Sequence, residues 1–558
     1  MALVLTPILK NSMHSTPNSA KTSHVKFNLP EEQGSVIEYL QGNAEASPII
    51  KANLISKTIL SPSTQDSLLL KWILEFKENI VVLDRENESI TVALLHFKWY
   101  LKNEQMVLQY QELILNLVTA HPKWLTSVLS MIIKIFSAVS GDNEDITIEE
   151  KNMFNNAHGL LKRLIEIVPL SRYQLGNMLL EKFPYMKSPT HVMLCYVENL
   201  LNICSYLPTT RLTILLCIVE KIIHIDVNCF RDMMYEIQND EDIPMELDES
   251  ERPVIKPVVH TLDVIIDCLF KYIRNTCFIE DLETLNWEAT KKLYKELLTV
   301  FDKVILPTHG SCHVQYLMFY VCSLKQELHE GFLDFLWKKV QNPNISSEFR
   351  QIASFYIGSL LARAKYINIS TVTACFGLMC NWIHRYIDNH TSQDCTVHGT
   401  FHSVCQTVFY VFAFRIKELI ELKTGYEFLR SLNFDRIVSC RLNPLRYCDR
   451  TIVQNFASIA RNYQISYVYP IIEKNNRNLL YAWENNSGSV VGSMVRTFFP
   501  FDPYLLKKSK CWVEPHFRIY NSSHKDEEDH LDEEEVSTNE ALFSYSTSPG
   551  FKKFLLKS

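Results

Sequence analysis

Glycine is scarce in this chain: 14 residues in 558, about 2.5%, against a usual content of roughly 7%. Helices disfavour glycine, so the deficit predicts an all-α protein. Phosphate-cradling glycine loops are missing, since neither GxxxxGK[ST] nor GxGxxG occurs. HExxH and GxSxG are absent too. No run of about 18 apolar residues is present, so no transmembrane helix and no membrane partner is expected. The apolar start MALVLTPILK lacks a basic leader, a long apolar core and a small-residue cleavage site, so secretion is not expected. The fifteen cysteines are odd in number and scattered, which suits buried thiols rather than a disulfide framework.

Hydrophobic residues make up 47% of the chain and aromatics 11%, ample for a core. The length suits three or four domains or one elongated repeat array. The net charge of −7 conceals two acidic stretches, Glu236 to Glu251 and Lys525 to Glu540, of −8 each, which leave +9 on the remainder. A basic body with acidic segments suits an acidic partner surface or weak contact with nucleic acid, the segments competing within the chain.

Residues 1–65 are rich in Ser, Thr, Pro and Asn and are expected to be a mostly disordered arm. Helical periodicity then runs through 66–520. LKNEQMVLQYQELILNLV (Leu101 to Val118) and the segment after His121-Pro122 read as a helix pair. The sentence repeats with stops at Pro169, Pro184 and Pro208, a pair period near 40 that points to a HEAT-like helical-repeat superhelix. Such arrays bury their core between neighbouring pairs and leave long surfaces for partners. Acidic insertions are expected near 141–152 and 238–253, a helical cap from Phe428 to about Tyr520, and an acidic disordered tail over 521–558.

Two Cys/His clusters invite chemistry. Cys395, His398, His402 and Cys405 have ligand-like spacing, but Thr400 to Phe412 reads as one helix, which cannot wrap four ligands around an ion. His309, Cys312 and His313 suggest a Cys–His nucleophile, yet no acidic orienter is legible nearby. Pro307-Thr308 reads instead as a helix stop, with Thr308 capping the next helix. No catalytic, cofactor or metal residue is therefore assigned. Basic residues cluster at Arg363 and Lys365, at Arg436, Arg441, Arg446 and Arg450, and at Lys507, Lys508 and Lys510, while Tyr447, Tyr463 and Tyr467 fall at core-like spacing. The clusters read as a charged docking surface without sequence-specific DNA reading. Ser/Thr-Pro pairs and acid-directed sites make Thr16, Ser61, Thr147, Ser523 and Ser548 the candidate phosphate acceptors.

The stretch VFDKVILPTHGSCHVQYLMFYVCSLK (Val300 to Lys325), followed by LDFLWKKVQNPN and IASFYIGSLLARAKYI, resembles the RNA polymerase I-specific transcription initiation factors of the TIF-IA family. LLEKFPYMKS (Leu179 to Ser188), FLRSLNFDRIV (Phe428 to Val438), IIEKNNRN (Ile471 to Asn478) and FFPFDPYLLKKSK (Phe498 to Lys510) continue the resemblance, which covers most of Leu68 to Lys510. It implies a HEAT-repeat, non-catalytic adaptor that binds the stalk subunits of RNA polymerase I. It also implies a bridge to the promoter-bound selectivity factor with its TBP-associated factors, for ribosomal RNA gene transcription. Regulation by phosphorylation, homodimers in the free state, weak or no direct DNA binding, and nuclear and nucleolar location with shuttling to the cytoplasm go with it. The LARAK word, Leu361 to Lys365, resembles the family motif for promoter-factor contact, which makes Leu361, Arg363 and Lys365 the candidate partner-binding residues; Leu361, Ala362 and Ala364 read equally as helix packing. In the family's serine-bearing acidic loop this chain offers Ser140 and Thr147. The alternatives are a helical-repeat nuclear transport receptor or scaffold, and a Cys/His enzyme or metalloprotein.

Overall fold

A computed structural model describes residues 35–41, 48–83, 87–138, 146–229, 252–279, 284–308, 310–390, 397–484, 495, 499–501 and 504–520, with the backbone alone at 48, 252–256 and 478–484. The described chain is all-α apart from a two-residue antiparallel ladder pairing Phe278–Ile279 with Thr284–Leu285. It divides into two compact units, up to Met131 and from Ile132 onward.

The first unit holds α1 (Val36–Gln41), α2 (Pro48–Leu60), α3 (Asp66–Glu78), α4 (Glu88–His96), α5 (Glu104–Ala120) and the start of α6 (Leu125–Ile135). Helices α1 and α2 lie inside the stretch read as a mostly disordered arm, and correct that reading for 36–60. The cause is a sparse apolar stripe, Val36, Ala52, Ile55 and Ile59, which is buried where α2 packs on α4 and α1 on α2 and α3. The Glu75 carboxylate on α3 accepts from the Val36 amide at 2.7 Å and from Ser35 Oγ at 2.9 Å, tying the first turn of α1. Trp99 stacks on Tyr110 at 5.1 Å, and the Tyr110 hydroxyl donates to Leu94 O at 2.7 Å.

The second unit continues with α7 (Ile148–Ile167), α8 (Ser171–Glu181), α9 (Thr190–Tyr206), α10 (Arg211–Asn228), α11 (Arg252–Cys277), α12 (Trp287–Val300), α13 (Tyr316–Ser323), α14 (Gln326–Gln341), α15 (Ser347–Arg363), α16 (Ile369–Asn389) and α17 (Gly399–Glu421). Shorter helices follow: α18 (Gly425–Ser431), α19 (Phe434–Ser439), α20 (Pro444–Tyr447), α21 (Arg450–Asn462), α22 (Tyr469–Glu484) and α23 (Lys510–Val513). The helices stop where the prolines and polar turns predict. Asn286, Asn368 and Asp449 cap α12, α16 and α21 with side-chain oxygens on the first-turn amides, which removes orphan donors. Thr147 and Glu150 form a reciprocal capping box at α7, so the acidic insertion expected over 141–152 gives way to helix from Ile148.

Helix α17 is the axis of the second unit. Its buried residues fall on every face, as a fully enclosed helix requires, and α15, α16 and α21 pack on it. Helix α15 approaches most closely through small residues. A Cβ added at Gly358 would lie 2.9 Å from Thr407 Cγ2, while Ser354 Oγ donates to Ser403 Oγ and Thr407 Oγ1 to Ser354 O, both at 3.0 Å. Within this unit Arg211 and Glu296 form a largely buried ion pair between α10 and α12.

No described helix is long and apolar enough to cross a membrane. The described cysteines are free thiols, mostly buried, and burial pushes Cys195, Cys217 and Cys380 up to about 12.

Candidate partner-docking surface

The residues that end α15 set up the surface. A helix C-terminus leaves its last carbonyls without partners inside the helix, and α15 ends at Arg363 within the LARAK word. Here the carbonyls are taken up from outside: Arg415 of α17 donates Nη1 to Leu361 O at 2.9 Å and Nη2 to Ile367 O at 3.1 Å. The Arg518 amide donates to Arg363 O at 2.6 Å, and the Lys365 amide to His516 O at 2.9 Å, while Ala364 and Phe517 form an antiparallel bridge.

Residues 504–520 thus form a strap across the second unit, and its apolar residues seat it. Ahead of the strap, Phe501 packs edge-on to Tyr316 at 5.4 Å and donates its amide to Ser359 Oγ at 3.0 Å. Tyr504 meets Tyr316 at 4.7 Å, and Trp512 lies between Phe270 at 6.2 Å and Tyr320 at 5.6 Å. Full burial of Phe501 is worth about 1.5–3 kcal/mol. Two acids of α11 hold the strap's polar side. Asp263 accepts from the Lys508 amide at 2.7 Å, from the Ser509 amide at 2.8 Å and from Ser509 Oγ. Asp267 accepts from Trp512 Nε1 at 2.7 Å. The strap's far end is closed by Arg518, which pairs with Glu418, the same carboxylate that pairs with Arg415.

The predicted site residues separate on this geometry. Leu361 is fully buried, and Arg363 is only 1% exposed. The Arg363 guanidinium lies 4.7 Å from the Phe414 ring and 5.2 Å from the Phe517 ring, and Nη1 donates to Arg518 O at 3.2 Å. In this structure both side chains are thus turned inward, Arg363 against the strap and Leu361 into the core, its carbonyl held by Arg415. Lys365 is exposed.

Around Lys365 the structure gathers charge that the sequence separates. Arg274 of α11 lies 5.8 Å from the Trp512 ring, and Trp512 and His516 both border Tyr320. Burial first, and the Lys365 ammonium second, hold His516 below its ordinary pKa. Lys507 and Lys508 stand exposed on the strap beside the Asp263 anchor. Lys271 also faces solvent, paired with Asp267 at 2.9 Å. Lys507 and Lys508 on the strap, with Arg274 and Lys365 beside its Trp512 to His516 stretch, thus give the strap a flank of exposed cations. Asp263 and Asp267, which hold its strap, escape a linear reading. Their signal is an acidic pair four residues apart on one face of α11.

The second basic group, Arg436, Arg441, Arg446 and Arg450, is dispersed over α19 to α21. Arg436 is half-buried against Asp388, the other three are exposed, and Arg446 lies 5.7 Å from the Tyr447 ring. Tyr467 is 66% exposed, which corrects its core-like reading. Tyr447 and Tyr463 are half-buried. Ser61 is half-buried beyond α2, its Oγ 2.8 Å from Ser63 Oγ. Thr147 is exposed, its Oγ1 accepting from the Glu150 amide at 3.2 Å. Thr16, Ser523, Ser548 and Ser140 lie outside the described residues.

The described members of the Cys/His clusters bond to neighbouring packing groups. His402 donates Nε2 to Leu442 O at 3.0 Å, and His398 Nδ1 meets the Tyr386 hydroxyl at 3.0 Å. Cys405 is buried, and burial holds its thiol far above its ordinary pKa. Cys395 and His309 lie outside the described residues. An acidic orienter does exist for His313: Asp226, 87 residues earlier, whose Oδ1 accepts from His313 Nδ1 at 2.9 Å. Its Oδ2 accepts from Ser311 Oγ at 2.7 Å and from the amides of Cys312, His313 and Val314 at 2.8, 2.9 and 3.2 Å. Burial pushes this carboxyl upward, but His313 and the surrounding donors outweigh it and hold Asp226 below its usual range. Asp226 and His313 are both fully buried, so the pair organises the turn into α13. Thr308 closes the preceding helical turn through Val304 O at 2.7 Å instead of capping the next.

Residues 35–254 and 245–525 match the sequence model of the family RNA polymerase I specific transcription initiation factor RRN3. The chain belongs to that family. A Mus musculus relative, "RNA polymerase I-specific transcription initiation factor RRN3", is 35% identical over 520 residues, 85% of this chain and 79% of the relative. A Schizosaccharomyces pombe relative of the same name is 28% identical over 493 residues, 79% of this chain and 77% of the relative. The solved "Crystal Structure of RNA Polymerase I Transcription Initiation Factor Rrn3" superposes with a TM-score of 0.71 at 24% identity, covering 87% of this chain and 96% of that one. Membership in the RRN3 family makes this chain an RNA polymerase I-specific transcription initiation factor with the fold of Rrn3.

Proposed function

We propose that this RRN3-family chain is a non-catalytic adaptor that binds RNA polymerase I and bridges it to the promoter-bound selectivity factor. It acts in the nucleus and nucleolus on ribosomal RNA genes. The basic face of Lys365, Arg274, Lys507 and Lys508 supports this reading, because exposed cations on a rigidly anchored strap suit an acidic protein partner. Arg363 sets that face by clamping the strap, Leu361 anchors the end of α15 beneath it, and Lys365 meets the partner. Contact with DNA is weak or absent, the free protein forms a homodimer, and phosphate on Thr147 or Ser61 regulates docking by local charge.

Affinity purification of tagged chain from cells, with mass spectrometry of its partners, tests the proposal. Wild type recovers polymerase I subunits and TBP-associated factors, and Arg274→Glu/Lys365→Glu/Lys508→Glu loses one of the two sets. Recovery of transport factors without polymerase I overturns it.

A further inference from the structure

A groove of about 320 Å³ opens between α14 and α16. Its floor is Leu333, Ile357 and Met379, all buried, and its wall includes Leu378, which is 53% exposed. Glu330 and Asp334 stand on the rim. Glu330 accepts from Gln326 Nε2 at 2.8 Å, and Asp334 pairs with Lys338 at 2.6 Å with both side chains more than half exposed. Such a surface pair is weak and exchangeable. An apolar trough with an acidic rim fits a short segment with apolar anchors three and four residues apart and basic residues beside them.

The chain carries one. Its last residues read Phe551-Lys552-Lys553-Phe554-Leu555-Leu556-Lys557-Ser558, with Phe551, Phe554 and Leu555 at that spacing and three lysines among them. The strap delivers the chain to the right place. Arg518 pairs with Glu418, Glu418 with Arg415, and Arg415 donates to Ile367 O, two residues before α16 begins at Ile369. On the other side the His516 ring lies 6.2 Å from Tyr366, and Tyr366 lies 5.4 Å from His329, the neighbour of Glu330. Thr371 of α16 and Glu330 of α14 mark that end of the groove, 3.4 Å apart. Residues 521–550 then separate the strap from Phe551, and at most ~3.3–3.6 Å per residue gives them ample reach.

We propose that the groove between α14 and α16 is the seat of this chain's own segment Phe551–Lys557, with Phe554 and Leu555 over Leu333 and Met379 and the lysines on Glu330 and Asp334. Seating the segment ties down both ends of the acidic run Asp526 to Glu540, close to the basic face of Lys365 and Lys508. The acidic run then competes with an acidic partner for that face, and only this consequence rests on the proposed adaptor function.

Carbodiimide coupling of carboxylates to amines in the full chain, read by mass spectrometry, tests the seat without polymerase. Lys552 and Lys553 are expected to couple to Glu330 or Asp334 in the monomer. Phe554→Ser and Leu378→Glu each reduce those products at least tenfold with unchanged thermal melting. A synthetic peptide of residues 549–558 binds the Phe554→Ser chain but not the Leu378→Glu chain. Tail lysines coupling only to other carboxylates, products equal in the variants, or products confined to a crosslinked dimer overturn the proposal.

Discussion

Replacing Arg363 by methionine keeps a long apolar stem and removes the charge that lies against Phe414 and Phe517. The charge-assisted hydrogen bond to Arg518 O contributes about 1.5–3 kcal/mol, and each cation–π contact about 0.5–2 kcal/mol at a desolvated position. The desolvation of a guanidinium only 1% exposed offsets part of this. The net loss is about 3 kcal/mol, on the order of 100-fold in the equilibrium for local opening of the strap. Hydrogen exchange reads that opening directly, because the Arg518 and Lys365 amides donate across the strap's seam to Arg363 O and His516 O. Both should exchange about 100-fold faster in Arg363→Met, while amides of α17 keep their protection. Lys365→Met, at an exposed position, should change neither by more than about threefold. If Arg363→Met leaves the strap amides protected within threefold yet abolishes partner binding, Arg363 is a contact residue and the clamping argument is refuted.

The turn before α13 depends on one carboxylate, so Asp226→Asn should cost about 3–5 kcal/mol in urea denaturation; a loss under about 1 kcal/mol would show that the loop holds itself. Burial holds His158 and His402 at about 4, against an ordinary 6.5, consistent with Nε2 of each donating to a buried acceptor, Asn199 Oδ1 and Leu442 O. Because the unfolded chain takes up these protons first, the stability they carry is complete above pH 6.5 and is lost as pH falls toward 4. At pH 5 each removes about 2 kcal/mol, and an imidazole titration midpoint above 6 for either histidine contradicts this. Thr147→Ala removes the capping box of α7 and should cost about 1 kcal/mol, read as faster amide exchange confined to the first turn; unchanged exchange there would mean that the cap contributes little.

The helical pairs were legible because their stops are local. Pro169, Pro184 and Pro208 interrupt apolar faces whose period is that of a helix, and the family words supplied the rest. Helices α1 and α2 were not legible, since so few apolar residues in a Ser/Pro-rich stretch register only when α3 and α4 are there to cover them. The docking surface was legible as charge and illegible as arrangement. LARAK announces itself as basic, but Arg363 points into an aromatic slot made by residues about 50 and 150 positions later. Asp226 acts across 85 to 88 residues and Asp263 and Asp267 across about 245, so the sequence shows these acids without showing the loop each one holds. In the Cys/His clusters the ligand-like spacing carried no assignment, and the described ring nitrogens of His398, His402 and His313 bond to Tyr386, Leu442 O and Asp226.

Direct binding of the purified chain to purified RNA polymerase I, measured with and without charge reversal of Arg274, Lys365 and Lys508, tests the central claim most directly. The account predicts a complex with wild type that weakens with added salt and at least tenfold with the reversal, at unchanged thermal melting. Wild-type chain that does not bind the polymerase, or a triple variant that binds as tightly as wild type, would contradict it.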